Sequence, residues 1–139
     1  MISPLKLLID ILLAIILAGV IGYERQVRRG VYSAGIRTHM LLCLGSMIIT
    51  LISIYSFPTD PARIIAAMIT AVGFIAAGTA ISSREEVKGL TTGIGLFVVS
   101  SVGMLIALEY YMISVILTVF LWIILESWRL EVKLGYKKK

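Results

Sequence analysis

The sequence predicts an all-α membrane protein of five transmembrane helices, and three observations carry that prediction. The chain is 59% hydrophobic and only 15% charged, with mean hydropathy +1.00, whereas a soluble domain is typically ~45–50% apolar and ~25% charged. Its apolar residues fall into runs long enough to cross a hydrocarbon core of about 30 Å. Its basic residues gather in the short polar segments between those runs.

The first run is Leu5–Tyr23, broken only by Lys6 and Asp10. No small-x-small cleavage site follows it, so it reads as a retained helix rather than a signal peptide. Glu24–Ser33 is polar and carries Arg25, Arg28 and Arg29. The second run is Ile36–Tyr55. Two prolines in Ser56–Pro61 block helix continuation, and Asp60 before Pro61 reads as an N-cap with proline at the first helical position. The third run is Ile64–Ile81, followed by polar Ser82–Lys88. From Leu90 to Leu125 the chain is almost continuously apolar. One helix of that length would span about 54 Å, so the run is split at Glu109-Tyr110-Tyr111 into Leu90–Leu108 and Met112–Trp128. Residues 1–128 then form one transmembrane domain, and 129–139 a short basic cytoplasmic tail ending in three lysines.

Orientation follows from the basic residues, which cytoplasmic loops collect. With the N-terminus out and the C-terminus in, only Lys6 and Arg63 of the 13 lysines and arginines fall outside. Tyr55, Phe57, Tyr110 and Tyr111 at one set of ends, with Tyr23, Trp128 and Tyr136 at the other, match the aromatic enrichment of membrane interfaces. The net charge of +5 is thereby explained by topology, without nucleic acid. The single cysteine, Cys43, sits in an apolar run as a packed side chain.

Helices in lipid associate through small residues that let backbones approach. The third helix is rich in them, and Ala66, Thr70, Gly73 and Ala77 share one face, with Gly78 beside it. That face reads as a central packing seam. Gly89/Gly93 and Gly103/Ala107 are small-xxx-small pairs on the fourth helix. Packing within the chain and a homodimer seam both fit this pattern.

Three polar clusters mark the inner helix ends: Gly22–Gln26, Ala34–Met40 and Val87–Gly93. The run Ile21–Met47, with Glu24-Arg25 and then Ala34-Gly35-Ile36-Arg37-Thr38-His39, resembles the signature of the MgtC/SapB family. Asp60–Lys88 continues it through Asp-Pro-x-Arg-Ile and Gly-Phe-x-x-Ala-Gly, and Lys88–Gly103 through Gly-Leu-Thr-Thr. The similarity covers roughly residues 5–128. It implies a bacterial inner-membrane, multi-pass protein linked to magnesium homeostasis and low-magnesium adaptation, with relatives that are virulence factors. It also implies regulation rather than transport, in part through the proton-translocating ATP synthase. By matching positions, the characteristic polar residues are Glu24, Arg25, Arg37, Thr38, His39, Asp60, Arg63, Thr91 and Thr92. The chain departs from many relatives at Asp10, Gly93, Ile94 and Phe97. Longer members append a soluble C-terminal domain.

Each polar residue also has a simpler role. Glu24 and Arg37 can satisfy each other at a helix end, or form a cytoplasmic binding or regulatory site. His39, a lone histidine, reads as a hydrogen-bonding interface residue rather than a metal ligand. Asp10 reads as snorkelling outward beside Lys6, the alternative being projection into the bundle. Thr91 and Thr92 can cap the fourth helix. Magnesium sites use carboxylates with retained waters. No carboxylate pair here has ligand-like spacing within a span, and Glu85-Glu86 reads as a solvated loop. No catalytic constellation or phosphate-cradling loop is present in the sequence. The expectation is a non-enzymatic membrane regulator without a resident cofactor, embedded in lipid, self-associating or bound to another membrane complex; the alternative is a magnesium or other ion transporter.

Overall fold

The computed structural model describes residues 3–29, 34–80 and 89–127. The tail 129–139, Arg84, Glu85-Glu86 and Lys88 lie outside the described residues. Among the described residues five helices run in order: α1 Pro4–Arg29, α2 Ile36–Ser56, α3 Pro61–Ala80, α4 Leu90–Ala107 and α5 Tyr111–Glu126. No strand occurs among the described residues. By length and composition α1 to α4 can each cross a membrane, and α5 is a shorter apolar helix of 16 residues.

The predicted breaks hold at both short turns. α3 begins at Pro61, as the proline and its preceding aspartate require. The hydroxyl of Ser53 donates to the Pro61 carbonyl at 2.6 Å, tying the end of α2 to the start of α3. Between α4 and α5 the backbone reverses at Glu109, whose φ of 65° is left-handed. The end of α1 differs from expectation. Helix continues through Glu24–Arg29, where hydropathy alone suggested a link. Glu and Arg are good helix formers, and burial of Glu24 and Arg25 gives the extra turns something to pack against.

α4 is the hub. Among the described residues it touches each of the other four helices, whereas α3 rests only on α2 and α4, and α5 only on α1 and α4. Around α4 the order is therefore α3, α2, α1, α5. The core joins Ala14, Ala18 and Ile21 of α1 to Cys43, Met47 and Leu51 of α2. Val99, Val102, Ile106 and Ala107 of α4 and Leu121 and Leu125 of α5 complete it.

Glycines set the closest approaches. A Cβ on Gly103 would collide with the Cys43 carbonyl oxygen, and one on Gly22 would lie 2.6 Å from the Ile36 Cα. On Gly93 it would lie 2.5 Å from the Ala76 carbonyl oxygen. The backbones of α2 and α4, α1 and α2, and α3 and α4 thus touch where no side chain intervenes, the small-residue packing that lipid favours.

The small-residue face of α3 does not lie at the centre of the bundle. Ala66, Thr70, Ala77 and Gly78 are exposed and Gly73 half-buried. A Cβ on Gly73 or Gly78 would meet nothing within 4 Å. α3 instead buries Met68 and Val72, because those two larger side chains fill the angle between α2 and α4. The expectation of a seam central to this chain is corrected accordingly. Elsewhere the surface carries Leu8, Leu12, Ile16, Ile116, Phe120 and Ile124, all at least half exposed. A contiguous apolar exterior of this kind is stable against lipid rather than water.

Candidate functional site

One end of the bundle gathers the C-termini of α1 and α5 and the N-termini of α2 and α4. Buried polar side chains collect there: Glu24, Arg25, His39 and Thr92. The placement starts at Gly22, where α1 and α2 come into backbone contact. Glu24 and Arg25 follow within one turn, and Arg25 Nε lies 3.7 Å from Glu24 Oε2. Both side chains are over nine-tenths buried. Isolated charges are costly in such surroundings, so they are held as a pair.

His39 is wholly buried. Its Nδ1 lies 2.9 Å from the Gly35 carbonyl, and since a carbonyl only accepts, Nδ1 carries the proton. That leaves Nε2 an acceptor, which finds no partner among the described residues. The Arg25 guanidinium lies within electrostatic reach of the ring. Gln26 completes the junction by accepting the Ile36 N–H through Oε1 at 3.2 Å, in place of the side-chain cap that Gly35 cannot provide.

α5 brings Glu126 to the same level. α1 and α5 run parallel, and Asp10 bonds Tyr111 across a separation of 101 positions. The same offset pairs Arg25 with Glu126 in depth, since parallel helices rise together at about 1.5 Å per residue. One carboxylate oxygen of Glu126 is buried.

The family-motif residues therefore divide. Glu24, Arg25, His39 and Thr92 are buried at this end, whereas Arg37, Thr38 and Thr91 are exposed at it. Asp60 and Arg63 sit at the opposite end, both exposed, as an ion pair at 3.3 Å between the residue before α3 and its first turn. Gly89 opens α4 with φ 92°, a conformation natural to glycine.

A second polar cluster, at the opposite end, was not legible as such in the sequence. Asp10 is wholly buried. It accepts from the Tyr111 hydroxyl at 2.9 Å and from Lys6 Nζ at 3.4 Å. Lys6 Nζ also pairs with Glu109 at 3.0 Å. The expected Lys6 pair is present, but the carboxylate projects into the bundle instead of snorkelling outward, because α5 supplies a donor there. Tyr111 is the residue that sequence reasoning missed; its hydroxyl reaches Asp10 only after α1 and α5 pack side by side.

Between the two clusters lies the apolar layer of Ala14, Ala18, Ile21, Val99, Val102, Ile106 and Leu121. One polar file does cross this depth. His39, Cys43, Ser46, Thr50 and Ser53 are all buried along one face of α2. Thr50 donates back to the Ser46 carbonyl at 2.8 Å, while the Ser46 hydroxyl has no partner among the described residues. No group of three or more His, Cys, Asp or Glu is placed to hold a metal ion among the described residues.

A family model described as the MgtC family matches residues 11–131. The chain is 35% identical over 130 residues to YhiD of Escherichia coli strain K12, named as a candidate magnesium transporter, covering 87% of this chain and 60% of that protein. It is 33% identical over 104 residues to Protein MgtC of Salmonella typhimurium, covering 75% of this chain and 44% of the relative. Protein MgtC of Brucella abortus is 32% identical over 109 residues, covering 78% and 45%. The chain thus spans about half the length of the curated relatives it matches. No solved structure matches.

Proposed function

The chain belongs to the MgtC family, and from that premise we propose that it is a non-enzymatic regulator of low-magnesium adaptation, acting through contacts with other membrane proteins. The observation that carries this reading is the packing between the two polar clusters. A layer of buried apolar side chains, with the α2 and α4 backbones in contact at Gly103 and Cys43, fills the middle of the bundle. Such a body suits contact-based work better than conduction, because a packed interior holds no water to replace an ion's hydration shell. The magnesium link rests on the family and on the name of the YhiD relative.

The reading places the protein in a bacterial inner membrane, multi-pass, with the N-terminus out and the Glu24–Arg25–His39 end facing the cytoplasm, following the distribution of basic residues. Its partners are the lipid bilayer, a second copy of the chain and a larger membrane complex such as the ATP synthase. Magnesium acts in this reading as a condition of the cell and is not assigned a site.

A second reading, ion transport, draws on the polar file of α2 from His39 to Ser53. One experiment separates the two: magnesium flux into liposomes holding the folded protein, beside empty liposomes and a Glu24→Gln variant, run in parallel with growth of a deletion strain at limiting magnesium. Rescue of growth with flux at the empty-liposome level supports regulation. Flux above that level, lost in the variant, replaces it with transport.

A further inference from the structure

α5 is too short for an ordinary bilayer. It runs from Tyr111 to Glu126, 16 residues, and at 1.5 Å per residue covers about 24 Å. The charges that bound it are Glu109, in the turn before it, and Glu126, at its end; positions 110–125 carry none. Glu109 is 57% exposed and marks the outer aqueous boundary. A hydrocarbon core is about 30 Å thick, so α5 falls short by about 6 Å.

The shortfall is local. On α1 an exposed apolar stripe of Leu5, Leu8, Leu12, Ile16, Tyr23 and Val27 covers about 33 Å from residue 5 to residue 27. The 21 residues of α2 cover about 31 Å. Tilting α5 only lessens the depth it covers. Sliding it along α1 is blocked at the outer end, where the Tyr111 hydroxyl donates to Asp10 at 2.9 Å and Glu109 pairs with Lys6 at 3.0 Å. Glu126 does not reach for the headgroups either, since one of its carboxylate oxygens is buried in the bundle. What remains is for the bilayer to adjust.

The surface that meets it is a continuous apolar line. Met112, Ile116, Phe120 and Ile124 recur every fourth residue, all at least half exposed. The two charges at its ends fix where headgroups lie, and only chains short enough to fit between them satisfy both. We propose that this face of α5 binds phospholipids with short acyl chains, and that the bilayer is drawn thinner there than beside α1. The proposal goes beyond the regulatory reading and rests only on the membrane-spanning fold.

The chain carries its own reporter. Trp122 lies on α5 and is 41% exposed, and Trp128 is the only other tryptophan. In a Trp128→Phe background, the full chain is placed in vesicles of brominated phosphatidylcholine, which quenches Trp122 on contact. Unbrominated dimyristoleoyl or dioleoyl phosphatidylcholine is then mixed in to compete. The expected result is that the shorter dimyristoleoyl lipid relieves quenching with roughly threefold higher relative affinity. A second protein, with Trp122→Phe, Trp128→Phe and Leu12→Trp, moves the reporter to the exposed face of α1 and should show no preference for the shorter lipid. Glu126→Leu with Ser127→Leu lengthens the apolar stretch and should shift the Trp122 preference towards dioleoyl chains. Equal affinity for the two lipids at Trp122, or a preference for dioleoyl, overturns the proposal. The same short-chain preference at both reporters overturns local thinning in favour of a uniformly thin protein. A Trp122 that no brominated lipid quenches overturns it in favour of a protein covering α5. None of these results touches the magnesium-growth phenotype, so failure here is distinguishable from failure of the regulatory reading.

Discussion

Replacing Tyr111 by phenylalanine removes one oxygen atom and isolates the contribution of α5 to the buried carboxylate of Asp10. The hydroxyl donates to Asp10 at 2.9 Å, and Asp10 has no exposed surface. A hydrogen bond to a charged group is worth about 1.5–3 kcal/mol. Averages for neutral pairs between membrane helices are nearer 0.6 kcal/mol. The carboxylate keeps only the longer 3.4 Å contact with Lys6, so the charged figure applies, and Tyr111→Phe should cost about 2 kcal/mol. Glu109→Gln is the contrast. Its carboxylate pairs with the same lysine at 3.0 Å but is 57% exposed, and solvent screening limits such a pair to about 0–1 kcal/mol. The chain supplies its own assay. Cys43 is its single cysteine and is wholly buried, so a thiol-reactive fluorophore reports unfolding as labelling. Equilibrium unfolding followed by Cys43 labelling should rank parent, Glu109→Gln and Tyr111→Phe in falling stability. A double-mutant cycle with Asp10→Asn should assign most of the Tyr111 effect to the pair. If Tyr111→Phe and Glu109→Gln cost the same, or if Tyr111→Phe leaves the labelling midpoint unchanged, the argument from burial is wrong.

Two further expectations follow from the packing and the charges. Gly103→Leu should drive α2 from α4 and cost several kcal/mol, since the overlap is with backbone that cannot rotate away. Gly45→Ala, with nothing within 4 Å of the added atom, should be neutral or stabilise by up to about 1 kcal/mol through helix propensity; Cys43 labelling checks both, and equal effects would remove the close-contact argument. In a Cys43→Ala background, a membrane-impermeant maleimide added to intact cells should label Asp60→Cys and not Arg37→Cys; the reverse pattern would invert the proposed topology.

The sequence by itself determined the elements. Helix number, the α2–α3 and α4–α5 turns and the lipid-facing composition follow from local quantities: run length against bilayer thickness, the two prolines Pro58 and Pro61, and the break at Glu109. Even the residues that become the buried cluster were legible, since Glu24, Arg25 and His39 stand in ordered motifs beside helix ends. What only the tertiary structure decided is which face of each helix is inside. The third helix shows this most clearly. Its small residues permit close approach but do not say to what, and the chain buries Met68 and Val72 instead, leaving Ala66, Thr70 and Ala77 outward. In water, hydropathy would have sorted those faces. In lipid both faces of α3 are apolar, so the choice falls to packing against α2 and α4, which is a property of the assembled bundle. Asp10 turns on the same physics. A carboxylate one and a half turns into a helix can reach the surface or a partner. The partner, Tyr111, stands 101 positions away and meets it only when α1 and α5 lie in register.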